Sequence, residues 1–96
     1  MELKVIKTKF PVEFKENLKK AQFKGVSALL DDVSGYIAIS CYMNKRAVGR
    51  FLFEIQGEKC VMKKFHIIES EFYPLEIALT ELLIYCKKKK IKFIEY

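Results

Sequence analysis

The stretch KCVMKKFHIIESEFYPLEIALTELLIYCKKKKIKFIEY, Lys59 to Tyr96, is the most informative part of the chain. It reads as a strand, a short loop, an amphipathic helix and a second strand. From Cys60 to Ile68, Val61, Phe65 and Ile67 alternate onto one strand face, with Cys60, Met62, Lys64 and His66 on the other. Pro74 suits the first turn of a helix, where its missing amide donor is no loss, and Leu75, Ala78, Leu79, Leu82 and Cys86 form a broad apolar stripe. The helix is expected to end near Lys90. In the closing strand, Ile91 to Glu95, Phe93 and Ile94 face opposite sides, which places it inside a sheet and not at an edge.

Moving toward the N-terminus, Tyr36 begins a clean two-residue period. Ile37, Ile39, Cys41 and Met43 share one face; Phe51, Phe53 and Ile55 share a face of the next strand, opposite Arg50, Glu54 and Gln56. NKRAVG and QGEK are the turns, so three hairpin-linked strands form a meander. Val26 to Leu30 fits either a short strand or a helical turn, and Asp31, Asp32, Ser34 and Gly35 are a turn signal. Leu3 to Lys9 reads as a strand. Pro11 opens a helix with Phe14, Leu18 and Ala21 on its apolar stripe and Lys15, Lys19 and Lys20 off it. The fold class is α+β: a single antiparallel or mixed sheet with two helices, in the order β-α-(β)-β-β-β-α-β, as one domain over residues 1–96.

Composition agrees with a packed globule. The chain is 51% hydrophobic and 14% aromatic with 2 Pro and 4 Gly, far from the composition of disordered segments. A chain of this length buries roughly 60–65% of the surface its unfolded form exposes. No apolar run approaches the ~20 residues of a bilayer span, and MELKVIKTKF lacks the apolar core of a signal peptide, so the expected location is cytoplasmic, away from membranes. Cys41, Cys60 and Cys86 show no CxxC spacing and read as reduced core residues.

The formal charge is +6, carried mainly by the first quarter, where residues 1–24 hold seven Lys against three Glu. A basic face is a footprint for an acidic partner, either protein or nucleic acid. That segment has no Arg for bidentate readout and little aromatic interleaving that looks exposed, which also fits a plain solvated face.

Catalytic constellations are missing. Cys60 and His66 are six residues apart on one strand, about 20 Å in an extended chain, too far to share a metal or act as a nucleophilic pair. Cys41 or Cys86 would have to approach His66 across the fold. Glu69, Glu71, Glu76 and Glu81 precede and open the last helix and Lys87 to Lys90 close it, an arrangement that complements the helix dipole at both ends. No P-loop, GxGxxG, HExxH or GxSxG occurs.

The element order resembles the first two-thirds of the GNAT acyltransferase fold. GRFLFEIQGEKCVMKKFHIIESEF is similar to that family's third and fourth strands, and PLEIALTELLIYCKKKKIKFIEY to its cofactor-side helix and fifth strand. The resemblance implies an acetyl-CoA site at the helix N-terminus, where the family carries Gln or Arg, two residues, Gly, one residue, then Gly or Ala. Here Glu71, Pro74 and Glu76 occupy those places, removing a donor and adding two carboxylates where a pyrophosphate would sit. The family continues beyond the position of Tyr96 with a further helix and two strands, and spacing assigns neither Tyr85 nor Tyr96 an acid role.

The resulting expectation is a small non-catalytic binding or regulatory protein, of inhibitor or accessory type, on a degenerate GNAT-like scaffold, with no cofactor. It would act through a basic N-terminal face bearing Lys15, Lys19, Lys20 and Lys24, or through a sheet edge, on a protein or other acidic partner. A homodimer would follow if a second copy extended the sheet beside Phe93 and Ile94. The alternatives are a minimal acetyl-CoA-dependent acetyltransferase and an RNA-binding α-β-β-β-α module, the latter opposed by the acidic opening of the second helix.

Overall fold

A computed structural model describes residues 4–5 and 12–96. The elements are β1 (Lys4–Val5), α1 (Val12–Lys24), β2 (Ser27–Val33), β3 (Tyr36–Met43), β4 (Arg46–Gln56), β5 (Lys59–Ile67), a 3-10 turn (Ser70–Phe72), α2 (Pro74–Lys88) and β6 (Phe93–Glu95). Among the described residues they make an α+β domain with one six-stranded mixed sheet in the order β1-β6-β5-β4-β3-β2. The strand expected over residues 3–9 is described only at Lys4–Val5, and Pro11 lies outside the described residues.

β2 to β5 run antiparallel, one hairpin longer than the expected meander. The ambiguous segment is a strand, and it runs through Asp31 and Asp32, so only Ser34 and Gly35 make the turn, both at positive φ. Asp31 and Asp32 are tolerated because β2 is an edge strand and both are exposed. NKRAVG is likewise mostly strand: Asn44 and Lys45 alone carry positive φ, and β4 begins at Arg46.

α2 connects β5 to its parallel neighbour β6, a crossover that a parallel pair requires. The Glu58 carbonyl then accepts the amides of Lys92 (2.7 Å) and Phe93 (3.2 Å), fixing the entry to β6. β6 lies inside the sheet as expected. Its outer neighbour is β1 of the same chain, so the apolar faces of Phe93 and Ile94 do not require a second copy.

Both helices cover one face of the sheet. Ile37, Ile39, Cys41, Phe51, Phe53, Cys60 and Ile94 pack against Ala21 of α1 and Ile77, Ala78, Leu79, Leu82 and Cys86 of α2. Among the described residues no helix covers the opposite face of β2 to β5, the bare face. Two bulges shape it. Val48 is an extra residue opposite Cys41 and Tyr42, and its carbonyl accepts the Ile68 and Glu69 amides at 3.0 Å each. The second bulge, at Lys63, corrects the strict alternation expected for β5. Phe53 pairs with Met62 and Leu52 with Lys64, so Lys63 has no partner on β4 and the facing reverses. Met62 and Cys60 therefore lie on the covered face with Phe65 and Ile67, while Lys64 and His66 turn to the bare face.

α2 ends in a Schellman motif. Lys90 has φ +59°, and the Ile91 amide bonds to the Cys86 carbonyl at 3.3 Å. The helix thus stops at Lys88, two residues before the expected Lys90.

Candidate functional site

α1 presents the lysines singled out in the sequence. Lys15, Lys19, Lys20 and Lys24 are all exposed, because Phe14, Leu18 and Ala21 turn the opposite side of the helix into the core. Lys15, Lys19 and Lys20 make no ion pair among the described residues. Lys24 is set apart: its Nζ lies 5.3 Å from the centroid of the Phe72 ring, which also has the Arg46 guanidinium 5.9 Å away.

Little exposed aromatic interleaving is expected in this segment, and the structure corrects that. Phe23 is 94% exposed. It sits about one turn beyond Lys19 and Lys20, so the two lysines flank it, and Lys24 follows it directly. The signal was its position on the helix, roughly opposite the Phe14, Leu18 and Ala21 stripe. Glu13 and Glu16 share the exposed surface, so the four lysines leave this helix at +2.

The start of α2 is a packed junction. Pro74 is fully buried, and its carbonyl accepts the Cys41 thiol at 3.3 Å. A Cβ on Gly49 would come within 2.5 Å of Pro74, so β4 and the helix touch backbone to ring. Glu76 accepts from the Asn17 side chain at 3.1 Å, tying α2 to α1. Glu69 takes a bidentate pair from Arg46, at 2.5 and 3.1 Å, which raises the Arg46 pKa. Glu71 is exposed. The opening of α2 thus carries a buried Pro74 and a carboxylate already bonded across to α1.

The cysteines are buried and free. Cys86 donates to Cys60 with sulfurs 3.9 Å apart, and that bond, with burial, raises the Cys86 pKa. Burial, with Glu81 adding to it, pushes Cys41 up to about 12. None meets His66, which is exposed on the other side of the sheet. Among the described residues no group of three or more His, Cys, Asp and Glu side chains is placed to hold a metal. No helix there is long and apolar enough to cross a membrane.

On the bare sheet face, Ser40 of β3, Arg50 of β4 and His66 of β5 form one cross-strand row, and Ala38, Leu52 and Lys64 form the next. Together they line an open groove of about 380 Å³. At the edge, β2 exposes Leu29 and Val33, with Asp31 and Asp32 as charges that discourage strand addition. Asp32 is also held by the Tyr85 hydroxyl of α2, whose pKa is pushed up to about 12 by burial and that bond.

No family model matches the chain, and no curated protein does.

Proposed function

We propose that the chain is a small non-catalytic binding protein that docks an acidic protein partner on the outer face of α1. The observation that carries this reading is Phe23, 94% exposed beside Lys19 and Lys20. Lysines alone would describe a solvated face. A large aromatic held in water at their centre is the composition of an interface anchor with a charged rim. Lys15, Lys19 and Lys20 lack internal ion pairs among the described residues, so they are available to steer and pair with carboxylates. On this reading the scaffold keeps a GNAT-like order of elements while the opening of α2 serves packing, with Pro74 against Gly49 and Glu76 on Asn17.

The test is affinity capture with three immobilised baits: the wild-type chain, Lys15→Glu/Lys19→Glu/Lys20→Glu, and Phe23→Ala. The expected result is one stoichiometric protein on the wild-type bait and its loss from both variants. A protein retained equally by all three baits would refute the assignment of the surface. Recovery of RNA in place of protein would favour the nucleic-acid alternative.

A further inference from the structure

The groove on the bare sheet face carries a cluster of basic side chains that no acid among the described residues pairs with. Arg50 faces His66 directly across the β4–β5 ladder, with Cβ atoms about 5 Å apart in such a pair, and Lys64 lies at its diagonal. All three are exposed, and beyond the backbone ladder their side chains make no hydrogen bond or ion pair with another described residue. Bringing basic side chains together on one sheet face without an acid disfavours the free protein. The acid on that face nearest along β4 is already engaged. Glu54 accepts from Gln56 at 2.7 Å and from the Tyr36 hydroxyl, and Lys63 stands 3.9 Å away; the Gln56 bond, then Tyr36, lowers its pKa. Asp31 is across Ala38 and Leu52 from Lys64, at the far end of its row.

The cluster depends on the bulge at Lys63. Without it Lys64 and His66 would lie on the covered face, and Arg50 would have neither beside it. Beside the cations the groove is lined by Ala38 and Leu52, small and apolar, and by the Ser40 hydroxyl. Its volume of about 380 Å³ lies in the lower part of the range of small-ligand sites, about 300–1,000 Å³.

We infer that this groove binds the phosphate group of a small ester about the size of a mononucleotide. Arg50 supplies a planar fork of donors, Lys64 a point charge, and His66 and Ser40 single donors, a set that suits an anion with three terminal oxygens. The Ala38 and Leu52 surface takes the less polar body attached to it. The site is on the opposite side of the sheet from α1 and stands independently of the docking surface proposed above.

The experiment is a ¹H–¹⁵N NMR titration of the whole chain at constant ionic strength with three probes: inorganic phosphate, AMP and a single-stranded oligonucleotide. Saturable shifts are expected at Ser40, Arg50, Lys64 and His66, with AMP bound more tightly than phosphate. Arg50→Gln/Lys64→Gln should weaken AMP binding about tenfold or more, because it removes charge-assisted hydrogen bonds to the phosphate, without lowering the melting temperature, because it relieves like-charge crowding at an exposed site. Lys15→Glu/Lys19→Glu/Lys20→Glu should leave AMP binding as in the wild type. The inference is overturned if wild-type protein shows no saturable shift at these residues with millimolar AMP, or if Arg50→Gln/Lys64→Gln binds AMP normally. It is equally overturned if only the oligonucleotide binds, since the occupant would then be a polymer.

Discussion

Gly49 of β4 and Pro74 at the start of α2 are in contact so close that a Cβ on Gly49 would lie 2.5 Å from Pro74 Cβ and 2.8 Å from its Cγ. Neither neighbour is a flexible chain end that can swing away. Gly49 is buried within the sheet and Pro74 is a ring locked into the first turn of the helix. The Gly49→Ala variant is therefore expected to lose about 1–3 kcal/mol of stability, the usual effect of overpacking. A denaturant midpoint equal to that of the wild type would show that the helix start can shift freely.

The same junction bears on acyl-CoA. Pro74 contributes no amide, and Glu71 and Glu76 place negative charge where the GNAT resemblance would put a pyrophosphate. Millimolar acetyl-CoA is expected to leave the melting temperature unchanged. A rise of several degrees would revive the acetyltransferase alternative, since a ligand that binds only the native state stabilises it.

Lys90 holds a left-handed conformation that glycine adopts without steric strain. Lys90→Gly is expected to stabilise the chain by about 1 kcal/mol, raising the melting temperature by roughly 4–8 °C for a domain of this size. No gain would mean that Lys90 makes a compensating interaction as the chain turns toward Ile91.

Cys41 titrates near 9 in the unfolded chain, and burial pushes it up to about 12 in the native state. Below pH 9 the thiol is protonated in both states and its effect is fully present. Between those values the native state holds a proton the unfolded state has lost, so stability falls as pH rises, by about 1.4 kcal/mol per unit for one such thiol. Urea denaturation from pH 8 to 10.5 is expected to show the fall, and Cys41→Ala, although less stable overall, a shallower slope. An identical slope in the variant would contradict the assignment to Cys41.

Much of the fold was legible because the period-two pattern of β3 and β4 and the apolar stripe of α2 are each set by one buried face. Phe93 and Ile94 identified an interior strand correctly, but nothing local could announce that β1 is its outer neighbour, since that pairing joins the two ends of the chain. The bulge at Lys63 was missed although a trace of it is visible: the apolar positions change parity from Cys60 and Met62 to Phe65 and Ile67. That single slip put Cys60 and Met62 on the face of Lys64 and His66, whereas they lie on the covered face with Phe65 and Ile67. On α1 the lysines were readable from spacing, whereas Phe23 was passed over because an aromatic residue is expected inside.

The assignment of the α1 face is tested most directly by isothermal titration of the captured partner against wild-type chain and Lys15→Glu/Lys19→Glu/Lys20→Glu, at two salt concentrations. All three lysines are exposed, so the variant should melt as the wild type does. The expected result is one-to-one binding that weakens with salt and falls about tenfold or more on charge reversal, as for a charge-complementary interface. Equal affinity for both proteins, insensitive to salt, would contradict the proposal and move the binding surface away from α1.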